Sequence, residues 1–324
     1  MVVLLKKADA ETSTEYGYLP HKRPIELLIE YGIVIVDKPR GPSSHQCVTW
    51  VKNILRARKA GHSGTLDPKV SGVLPVALNS ATRAIELIAH SRKVYVALMQ
   101  LHRNITQERL EEVLKEFTGE IYQMPPVRSK VKRRVRKKKI YSIELLEFSD
   151  RHALLKFDVE AGVYIRKLCH DIGDVLGCGA HMKELRRLNV GKFSEEDAWI
   201  MQDIVDAYEF YTMGEERYIR KVVKPFEILF EEMPKVILRD SAVDAIAHGA
   251  KLAIPGIVSV SEDVKKGNRV AMMTMKGEAI ATGIAEMDAI DILKQNCGIA
   301  ISPDKVFMKP GIYPKCWEKK YYAQ

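Results

Sequence analysis

The amino-acid sequence predicts an α+β protein of two domains, a larger one of mixed helices and strands and a smaller one rich in short strands. Its 324 residues, 46% of them hydrophobic and 29% charged, are enough to bury two cores. Helical and strand patterns intermingle up to Met233-Pro234, where the composition indicates a boundary. Short strands separated by turns follow it. The predicted divisions are 1–24, an N-terminal arm packed on the C-terminal domain, then 25–232, 233–315 and a tail, 316–324.

The overall charge favours a polyanionic partner. The formal net charge is +9, although basicity alone fits nucleic acid, an anionic membrane or simple solubility. No apolar run approaches the roughly 18 residues that a membrane span needs, and the first residues are too few for a signal-peptide core. The five cysteines are scattered without a C-x-x-C pair, so neither a zinc site nor a disulfide framework is expected. These features predict a reduced, intracellular protein with no membrane association and no metal site.

The first predicted elements are a buried strand and an amphipathic helix. Gly32–Asp37 is a short β-branched run bounded by turn residues. Ser43 or Ser44 can cap the helix that follows, and Gly61 is expected to end it. The apolar face of this helix consists of Cys47, Val51, Ile54 and Leu55.

A helix, a strand and a second helix are predicted next. The first helix runs from about Ala81 to His90, and Val94–Leu101 then alternates as a strand does. The strand places Tyr95 on its apolar face, where a half-buried tyrosine without a catalytic role is the ordinary interpretation. Thr106 caps the second helix. The apolar face of that helix consists of Leu110, Val113, Leu114 and Phe117.

A dense run of positive charge comes next. Between Arg128 and Lys139, nine of twelve residues are Lys or Arg. Such charge density opposes a compact state unless a polyanion neutralises it, which predicts a flexible loop in contact with RNA. A solvated charged loop or a localisation signal also fits this composition. The candidate RNA contacts are Arg128, Lys130, Lys132, Arg133 and Arg134.

Two paired strands and a helix complete the larger domain. The strands are Lys139–Phe148 and Ala153–Val159, and Gly177 ends the helix that follows them. Arg166 lies off the apolar stripe and near the helix N-terminus, where the helix dipole mildly disfavours a cation. A surface arginine is the ordinary interpretation, but this position suggests another reason for it. The apolar stripe consists of Ile165, Leu168, Ile172, Val175 and Leu176.

The smaller domain is predicted from turns and short strands. A short helix begins at Ser241 and ends at Gly249. The last two strands are joined at Lys276-Gly277. The pattern alone indicates a small barrel or sandwich with no function attached. The predicted strands are Lys235–Arg239, Ile257–Val260, Asn268–Thr274 and Glu278–Ala285.

One glycine-rich loop, Gly61–Leu74, presents a single carboxylate. Asp67 precedes Pro68, so its backbone is directed away from a helical turn. Gly64 lets another chain or a ligand approach closely. Apolar residues at both ends would anchor the loop in a core, as the presentation of a nucleophile or general base requires. The residues alone leave open an Asp-Pro surface turn without chemistry.

Several motifs resemble those of the TruB family of RNA pseudouridine synthases, and more narrowly its archaeal dyskerin-like branch. The resemblance covers about residues 25–315. It implies a pseudouridine synthase catalytic domain with a central mixed or antiparallel sheet, followed by a small β-barrel-like PUA domain that binds RNA. The motifs are Gly-His-Ser-Gly-Thr-Leu-Asp-Pro at Gly61–Pro68 with Ser71–Leu74, Lys93-Val94-Tyr95 with Leu101-His102, Gly162–Arg166 with Gly179–Arg187, and the PUA-like His248–Ile257.

The resemblance also implies roles for individual residues. Asp67 would be the catalytic carboxylate, Tyr95 would stack on the target base, and Arg166 would pair with Asp67. Leu185 would pack against the active site. His62 would lie against the RNA near the flipped nucleotide, although a loop histidine satisfied by backbone is the alternative. The basic run would be a thumb loop that closes over RNA, and the implied contacts of the PUA domain are Lys251, Leu252, Pro255 and Gly256.

The implied reaction isomerises uridine to pseudouridine in an RNA whose target base is flipped out of its helix. The reaction is redox-neutral, so no cofactor is expected. Asp67 would either add to the ribose or abstract a ribose proton, and the sequence leaves both roles open. Either role needs an ionised carboxylate in a water-poor site, which a nearby guanidinium such as that of Arg166 favours.

The favoured function is that of the catalytic subunit of an H/ACA ribonucleoprotein that modifies ribosomal RNA, with transfer RNA left open as a further substrate. Its partners would be an H/ACA guide RNA, a small Nop-type protein, a Gar-type β-barrel protein and a kink-turn-binding protein of the ribosomal type. Two alternatives remain: a stand-alone synthase acting on the T-arm of transfer RNA, and a non-catalytic RNA-binding scaffold. The lack of long Lys-rich tails resembles archaeal members and predicts the cytoplasm.

Overall fold

The computed structural model describes residues 3–125 and 134–315, which form two units. The central unit comprises residues 34–76 and 85–222, and the terminal unit comprises residues 1–33, 77–84 and 223–324. Both units are discontinuous in the sequence. The domain limits predicted from the sequence stay predictions. Each predicted domain is one continuous stretch of the chain, whereas each unit combines separate stretches.

Regular structure is distributed over both units. The helices are α1 (Ile25–Glu30), α2 (Ser44–Ile54), α3 (Gln107–Glu116), α4 (Ile165–Val175), α5 (Met201–Thr212), α6 (Arg217–Val222), α7 (Asp240–Ala247) and α8 (Ala289–Lys294). The strands are β1 (Leu4–Lys6), β2 (Gly32–Lys38), β3 (Ala60–His62), β4 (Ser71–Leu78), β5 (Lys93–Leu101), β6 (Gly119–Gln123), β7 (Arg136–Ser149), β8 (His152–Val159), β9 (Ala180–Val190), β10 (Phe193–Ser194), β11 (Val223–Pro225), β12 (Lys235–Leu238), β13 (Leu252–Ala253), β14 (Ile257–Ser261), β15 (Arg269–Thr274), β16 (Ala279–Ala285) and β17 (Ile299–Val306). Within the described ranges, every helix is too short or too polar to cross a membrane.

A mixed sheet forms the middle of the central unit, in the order β2-β4-β9-β5-β8-β7-β6. β4 and β9 are parallel, whereas the pairs from β9 to β6 are antiparallel. The α+β class and the mixed sheet predicted from the sequence are confirmed. The buried face of β5 is also confirmed and consists of Tyr95, Ala97, Met99 and Leu101.

The hydrophobic core of the central unit lies between this sheet and the helices α3 and α4. The apolar faces of both helices belong to one cluster with the buried residues of β5 and β8. Burying a large apolar side chain contributes roughly 1.5–3 kcal/mol. Leu66 and Val70 belong to the same cluster. The glycine-rich loop is therefore anchored in the core on both sides of Asp67.

Three local predictions are wrong. The helix predicted to reach Gly61 ends at Ile54, because Arg56 adopts a left-handed φ of 48°. The helix predicted from Ala81 to His90 is instead two short 3-10 helices, whose amides bond to carbonyls three residues earlier. Val175 is 48% exposed, because Leu176 packs against the core in its place.

The basic run differs in part from the predicted loop. Arg136, Lys137 and Lys138 lie in β7, which was predicted to begin at Lys139. They form strand because they pair with β6, with Arg136 opposite Gln123. Four of the twelve residues of the run, 136–139, therefore belong to a strand.

The terminal unit is built on a seven-stranded sheet in the order β1-β14-β12-β15-β16-β17-β13. β12 and β15 are parallel and the other neighbours are antiparallel. The four strands predicted in the smaller domain correspond to β12, β14, β15 and β16. The N-terminal arm contributes β1, in which Leu5 lies opposite Val260.

A buried ionic network fastens the N-terminal segment within the terminal unit. Arg23 donates to the two carboxylate oxygens of Glu227 at 2.9 and 2.7 Å and lies 3.5 Å from Glu278. The Tyr313 hydroxyl donates to Glu278 at 2.8 Å. All four residues are buried. Burial raises the pKa of Glu227, and the Arg23 charge opposes that rise.

Candidate active site

The glycine-rich loop runs between β3 and β4 and exposes Asp67 near its middle. Its flanking residues Leu66 and Val70 are buried. The Val70 amide donates to the Asp67 carbonyl at 3.0 Å, and the Gly41 amide donates to the Pro68 carbonyl at 2.8 Å. The Asp67 carboxylate is thus presented to solvent from a backbone that is held on both sides.

The Ser44 hydroxyl holds the loop directly before Asp67. It accepts a hydrogen bond from the Leu66 amide at 2.8 Å and donates to the Leu66 carbonyl at 3.0 Å. Ser44 is buried at the start of α2, whereas the neighbouring Ser43 caps that helix on the Gln46 amide at 3.2 Å. Because both polar groups of Leu66 depend on one buried hydroxyl, Ser44 fixes the backbone from which Asp67 projects.

Lys38 supports the loop from its buried side. Its ammonium donates to the carbonyls of Val70 at 2.7 Å, Pro39 at 2.8 Å and Pro68 at 3.3 Å. Burial lowers the pKa of Lys38, and charge interactions with Cys47 and Asp67 oppose this shift. Its positive charge therefore acts on Asp67 from within the protein.

Arg166 forms an ion pair with Asp67 through Nη2 and Oδ2. Arg166 is the second residue of α4, so the helix start sets the position of its guanidinium. The side chains of Arg166 and Asp67 are 59% and 55% exposed. An exposed ion pair stabilises a fold by only about 0–1 kcal/mol. The pair therefore orients the two groups more than it stabilises the protein, which explains a cation at an unfavourable end of the helix dipole.

Arg187 connects Tyr95 to the loop. It is 1% exposed and donates from Nε to the Val73 carbonyl at 2.8 Å and from Nη2 to the Gly64 carbonyl at 3.3 Å. Burial lowers the pKa of Arg187, and interaction with the Tyr95 hydroxyl, including a hydrogen bond, opposes this shift. Tyr95 lies opposite Arg187 in the β5–β9 pairing. The tyrosine and the glycine-rich loop are thus held by one buried guanidinium.

Lys93 is a third buried cation beside the loop, after Lys38 and Arg187. It is 5% exposed, and its ammonium donates to the carbonyls of Ala89 at 2.9 Å and Ser91 at 2.8 Å. Burial, together with the charges of Arg187 and Lys138, lowers the pKa of Lys93 to about 8. A Cβ placed on Gly64 would lie 3.6 Å from the Lys93 side chain. Lys93 therefore packs directly under the glycine-rich loop.

His62 and Leu185 lie in the same unit. His62 ends β3 and is half-buried, and its Nδ1 has no hydrogen-bond partner among the described residues. Burial and the charges of Arg187 and His45 lower the pKa of His62. Leu185 is partly buried, lies opposite Ala97 in the β5–β9 pairing and packs against the cluster that contains Tyr95.

The predicted RNA contacts differ in their accessibility. Arg134 is exposed, whereas Arg128, Lys130, Lys132 and Arg133 lie outside the described residues. In the terminal unit Lys251 and Pro255 are exposed and Gly256 is half-buried. Leu252 is 1% exposed and belongs to the core of that unit, so its side chain is not available for the RNA contact that the sequence predicted.

Four residues that build this site, Lys38, Ser44, Lys93 and Arg187, were not among the predicted ones. Ser44 was considered only as a helix cap, and Lys93 and Arg187 only as parts of motifs. A signal existed for Lys93, since it shares the inward face of β5 with Tyr95. A charged residue at an inward position of a strand has to be satisfied by buried groups. Ser44 carries no such signal, because its partner lies 22 positions further along the chain.

One group of potential metal ligands occurs among the described residues, His170, Asp171 and Asp174 on α4. The His170 Nδ1 lies 2.9 Å from Asp174 Oδ2, and Lys167 pairs with Asp171. Because these exposed groups satisfy one another, the cluster is explained by ordinary surface pairing.

Comparison with protein families gives consistent matches along the chain. The N-terminal domain of the TruB family pseudouridylate synthases matches residues 52–165, and the C-terminal domain of tRNA pseudouridylate synthase B matches residues 166–231. A PUA domain matches residues 234–307, and a DKCLD (NUC011) domain matches residues 2–48.

Similar proteins match over nearly the whole chain. The "Probable tRNA pseudouridine synthase B" of Methanopyrus kandleri is 51% identical, covering 98% of this chain and 94% of the relative. The protein of the same name from Pyrococcus furiosus is also 51% identical, covering 98% and 94%. Among solved structures, a chain of a Cbf5-Nop10-Gar1 complex has a TM-score of 0.87 and 50% identity, covering 97% of both chains. A chain of an H/ACA RNP bound to a substrate RNA containing 2′-deoxyuridine has a TM-score of 0.89 and 48% identity, covering 98% of both.

Proposed function

This chain belongs to the TruB family of pseudouridylate synthases, and from that premise we propose that it converts uridines of RNA to pseudouridine as the catalytic subunit of a guide-RNA-directed H/ACA ribonucleoprotein. The main support within the chain is the ion pair of Asp67 and Arg166 on a loop anchored in the core. Ribosomal RNA is the proposed substrate class, and transfer RNA is a second one.

The proposed reaction breaks the bond between ribose C1′ and base N1 and rejoins C1′ to C5, from which a proton then leaves. Asp67 supplies the carboxylate, either as a nucleophile on the sugar or as a base on a ribose proton. Arg166, paired with Asp67, orients this carboxylate. Tyr95, held by Arg187, provides the ring against which the flipped base stacks.

Bound RNA completes the site by removing water from it. Asp67 and Arg166 are each more than half exposed in the free protein. Covering them with RNA strengthens every charge interaction between them, because the local dielectric constant falls. The chemistry is thereby confined to the bound state, in which a uridine is present.

Two observations bear on the alternatives. The relatives named tRNA pseudouridine synthase B favour transfer RNA as a substrate, with or without a guide. The Asp67–Arg166 ion pair argues against a non-catalytic scaffold, because an exposed pair of this kind adds little to stability.

The proposed partners are an H/ACA guide RNA, a small Nop-type protein, a Gar-type β-barrel protein and a kink-turn-binding protein of the ribosomal type. Complexes of Nop10 and Gar1 with a protein 50% identical to this chain support the first two protein partners. The archaeal sources of the similar proteins support the cytoplasm of an archaeon as the location.

Release of tritium from uridine labelled at C5 tests the proposal. The purified protein with its partners and an H/ACA guide is expected to release tritium from a ribosomal target RNA. Asp67→Asn is expected to abolish the release, because the amide neither attacks the ribose nor accepts its proton. Transfer RNA without a guide forms the second arm of the assay.

The two arms separate the candidate functions. Release only with the guide establishes the ribonucleoprotein, and release from transfer RNA alone shows that guidance is optional. If neither wild type nor Asp67→Asn releases tritium in a particle shown to be assembled, the non-catalytic scaffold is the function that remains. Arg40→Gln serves as a matched control, because Arg40 also forms an exposed ion pair, with Glu184, but outside the catalytic loop.

A further inference from the structure

The strands that flank the basic run also contact the segment that precedes Arg166. β6 ends at Gln123 and β7 begins at Arg136, and these two residues form the last pair of the hairpin. Gln123 is 3% exposed although it borders a strongly charged stretch. A buried amide at such a position needs partners for both its donor and its acceptor.

Gln123 finds both partners in the backbone of Tyr164. Its Nε2 donates to the Tyr164 carbonyl at 3.2 Å, and its Oε1 accepts from the Tyr164 amide at 3.0 Å. Tyr164 is the N-cap residue of α4, and its own side chain makes no capping hydrogen bond. The side chain of Gln123 therefore takes part in defining where α4 begins.

The other strand of the hairpin holds the same segment a few residues earlier. Lys138 donates to Glu160 Oε1 at 2.6 Å and to the Ala161 carbonyl at 2.7 Å. The Lys139 amide donates to Glu160 Oε2 at 3.0 Å. The stretch from Glu160 to Tyr164 is thus bonded to both strands of the hairpin, directly before α4.

We propose that Gln123 is a positioning residue, which sets Arg166 against Asp67 by fixing the backbone of Tyr164. The inference rests on the proposed function of the Asp67–Arg166 pair. Arg166 follows Tyr164 by two residues on the first turn of α4, so a shift of the helix start moves its guanidinium with it. The described strands of this hairpin are therefore joined by hydrogen bonds to the segment that leads into Arg166.

Gln123→Met tests this role, because it keeps the length of the side chain and removes both hydrogen bonds. In the assembled particle, the single-turnover rate of tritium release is expected to fall by about 10- to 100-fold, since small misplacements of catalytic groups have effects of that size. RNA affinity, measured by filter binding, is expected to change by less than about twofold, because Gln123 is buried. Gln107→Met is the control, since Gln107 bonds only to Glu111 on the exposed face of α3.

A double-mutant cycle distinguishes positioning from general destabilisation. In an Arg166→Gln background, Gln123→Met is expected to produce no further loss of rate, because the group that it positions is already absent. An equal further loss in that background would overturn the inference, as would a Gln123→Met rate within twofold of wild type.

Gln123→Glu supplies a second variant that keeps the acceptor. An ionised carboxylate repels the Tyr164 carbonyl, whereas a protonated carboxyl both donates and accepts as the amide does. The ratio of its rate to that of wild type is therefore expected to rise as the pH falls from about 7.5 to about 5.5. A ratio independent of pH would contradict the proposal. If wild type itself releases no tritium, the proposed function fails, and this inference fails with it for that separate reason.

Discussion

Adjacent serines at the start of α2 have different tasks. Ser43 caps the helix through the Gln46 amide, whereas Ser44 bonds both backbone groups of Leu66, directly before Asp67. Sequence analysis could name both as helix caps but could not separate them, because the distinction depends on what lies opposite.

Ser44→Ala is expected to lower both stability and activity. Leaving two buried polar groups of Leu66 unsatisfied costs about 1–3 kcal/mol for each group, and the loop that presents Asp67 becomes less ordered. Ser43→Ala, the matched control, is expected to cost about 1 kcal/mol through loss of the cap and to leave the single-turnover rate unchanged. Urea unfolding and single-turnover tritium release measure the two effects. Equal rates for both variants would refute a specific role of Ser44.

Lys93 makes the stability of the central unit depend on pH. Its pKa is about 8 in the folded protein and has its ordinary value of 10.5 in the unfolded chain. Between these values the unfolded chain binds more protons, so stability rises with pH over this window and is lost as the pH falls to about 8. Lys93→Met is expected to remove this slope and to be the more stable protein below that pH. Urea unfolding from pH 7 to about pH 10 tests it, and parallel curves for the two proteins would disprove the assignment.

The site residues were predictable to different degrees for one physical reason. Asp67, Tyr95 and Arg166 could be named because each stands in a local motif. Arg187 and Gln123 could not, since their partners lie far away along the chain and their burial is decided by tertiary packing. The sequence also indicates a water-poor site, whereas the free protein leaves Asp67 more than half exposed.

At the scale of elements, the close pairing of β4 with β9 fixes one end of the glycine-rich loop. Gly72 lies opposite Arg187 in this parallel pair. It has a φ of 107°, and a Cβ added to it would lie 2.1 Å from the Arg187 carbonyl oxygen. A glycine is therefore required both by the backbone conformation and by the space.

Gly72→Ala is expected to separate the two strands and to move Arg187 away from Gly64. Gly119→Ala is the matched control, because Gly119 has a similar φ of 114° but nothing within 4 Å of an added Cβ. The control isolates the cost of strained backbone, about 1–3 kcal/mol. A larger loss of stability and a loss of activity are expected for Gly72→Ala alone, measured by urea unfolding and tritium release. Equal effects would show that the close approach is unimportant.

Helices and strands with a strongly periodic apolar pattern were predicted well, and those with a weakly periodic pattern were not. The alternation in β5 and the stripe of α3 follow from local sequence alone. The two 3-10 helices before β5 do not, since the same residues would also suit an α-helix and short-range hydrogen bonds decide between them. The first residues of β7 form strand because they pair with β6. The sequence did not predict this, because their high positive charge indicated a loop.

At the scale of the whole molecule, charge is distributed unequally between surface and interior. The interior of the terminal unit holds Arg23 with Glu227 and Glu278. Removing Arg23 leaves both buried carboxylates without the cation that they share. Such a site is sensitive to the loss of one partner in a way that exposed pairs are not.

Arg23→Met is expected to destabilise the protein by about 3–5 kcal/mol near neutral pH. The folded-state pKa of Glu227 is raised by burial, and without Arg23 its protonated form is favoured further. Stability of the variant is therefore retained at acidic pH and lost as the pH rises through that raised pKa. Urea unfolding at about pH 5 and pH 7 tests this, with Arg40→Met, which breaks an exposed pair, as the control. A pH-independent loss would contradict the explanation.

The pairing of β1 with β14 also has a consequence for synthesis of the chain on the ribosome. About 250 residues separate the two strands, and at roughly 5–20 residues per second their translation takes about 12 to 50 seconds. During that interval the nascent N-terminal strand lacks its partner, and Arg23 lacks Glu227. Central-unit residues are complete before the terminal unit can close. A polypeptide released before β14 is made therefore keeps the residues of β1 without the strand that they pair with, which leaves them free to pair with another chain.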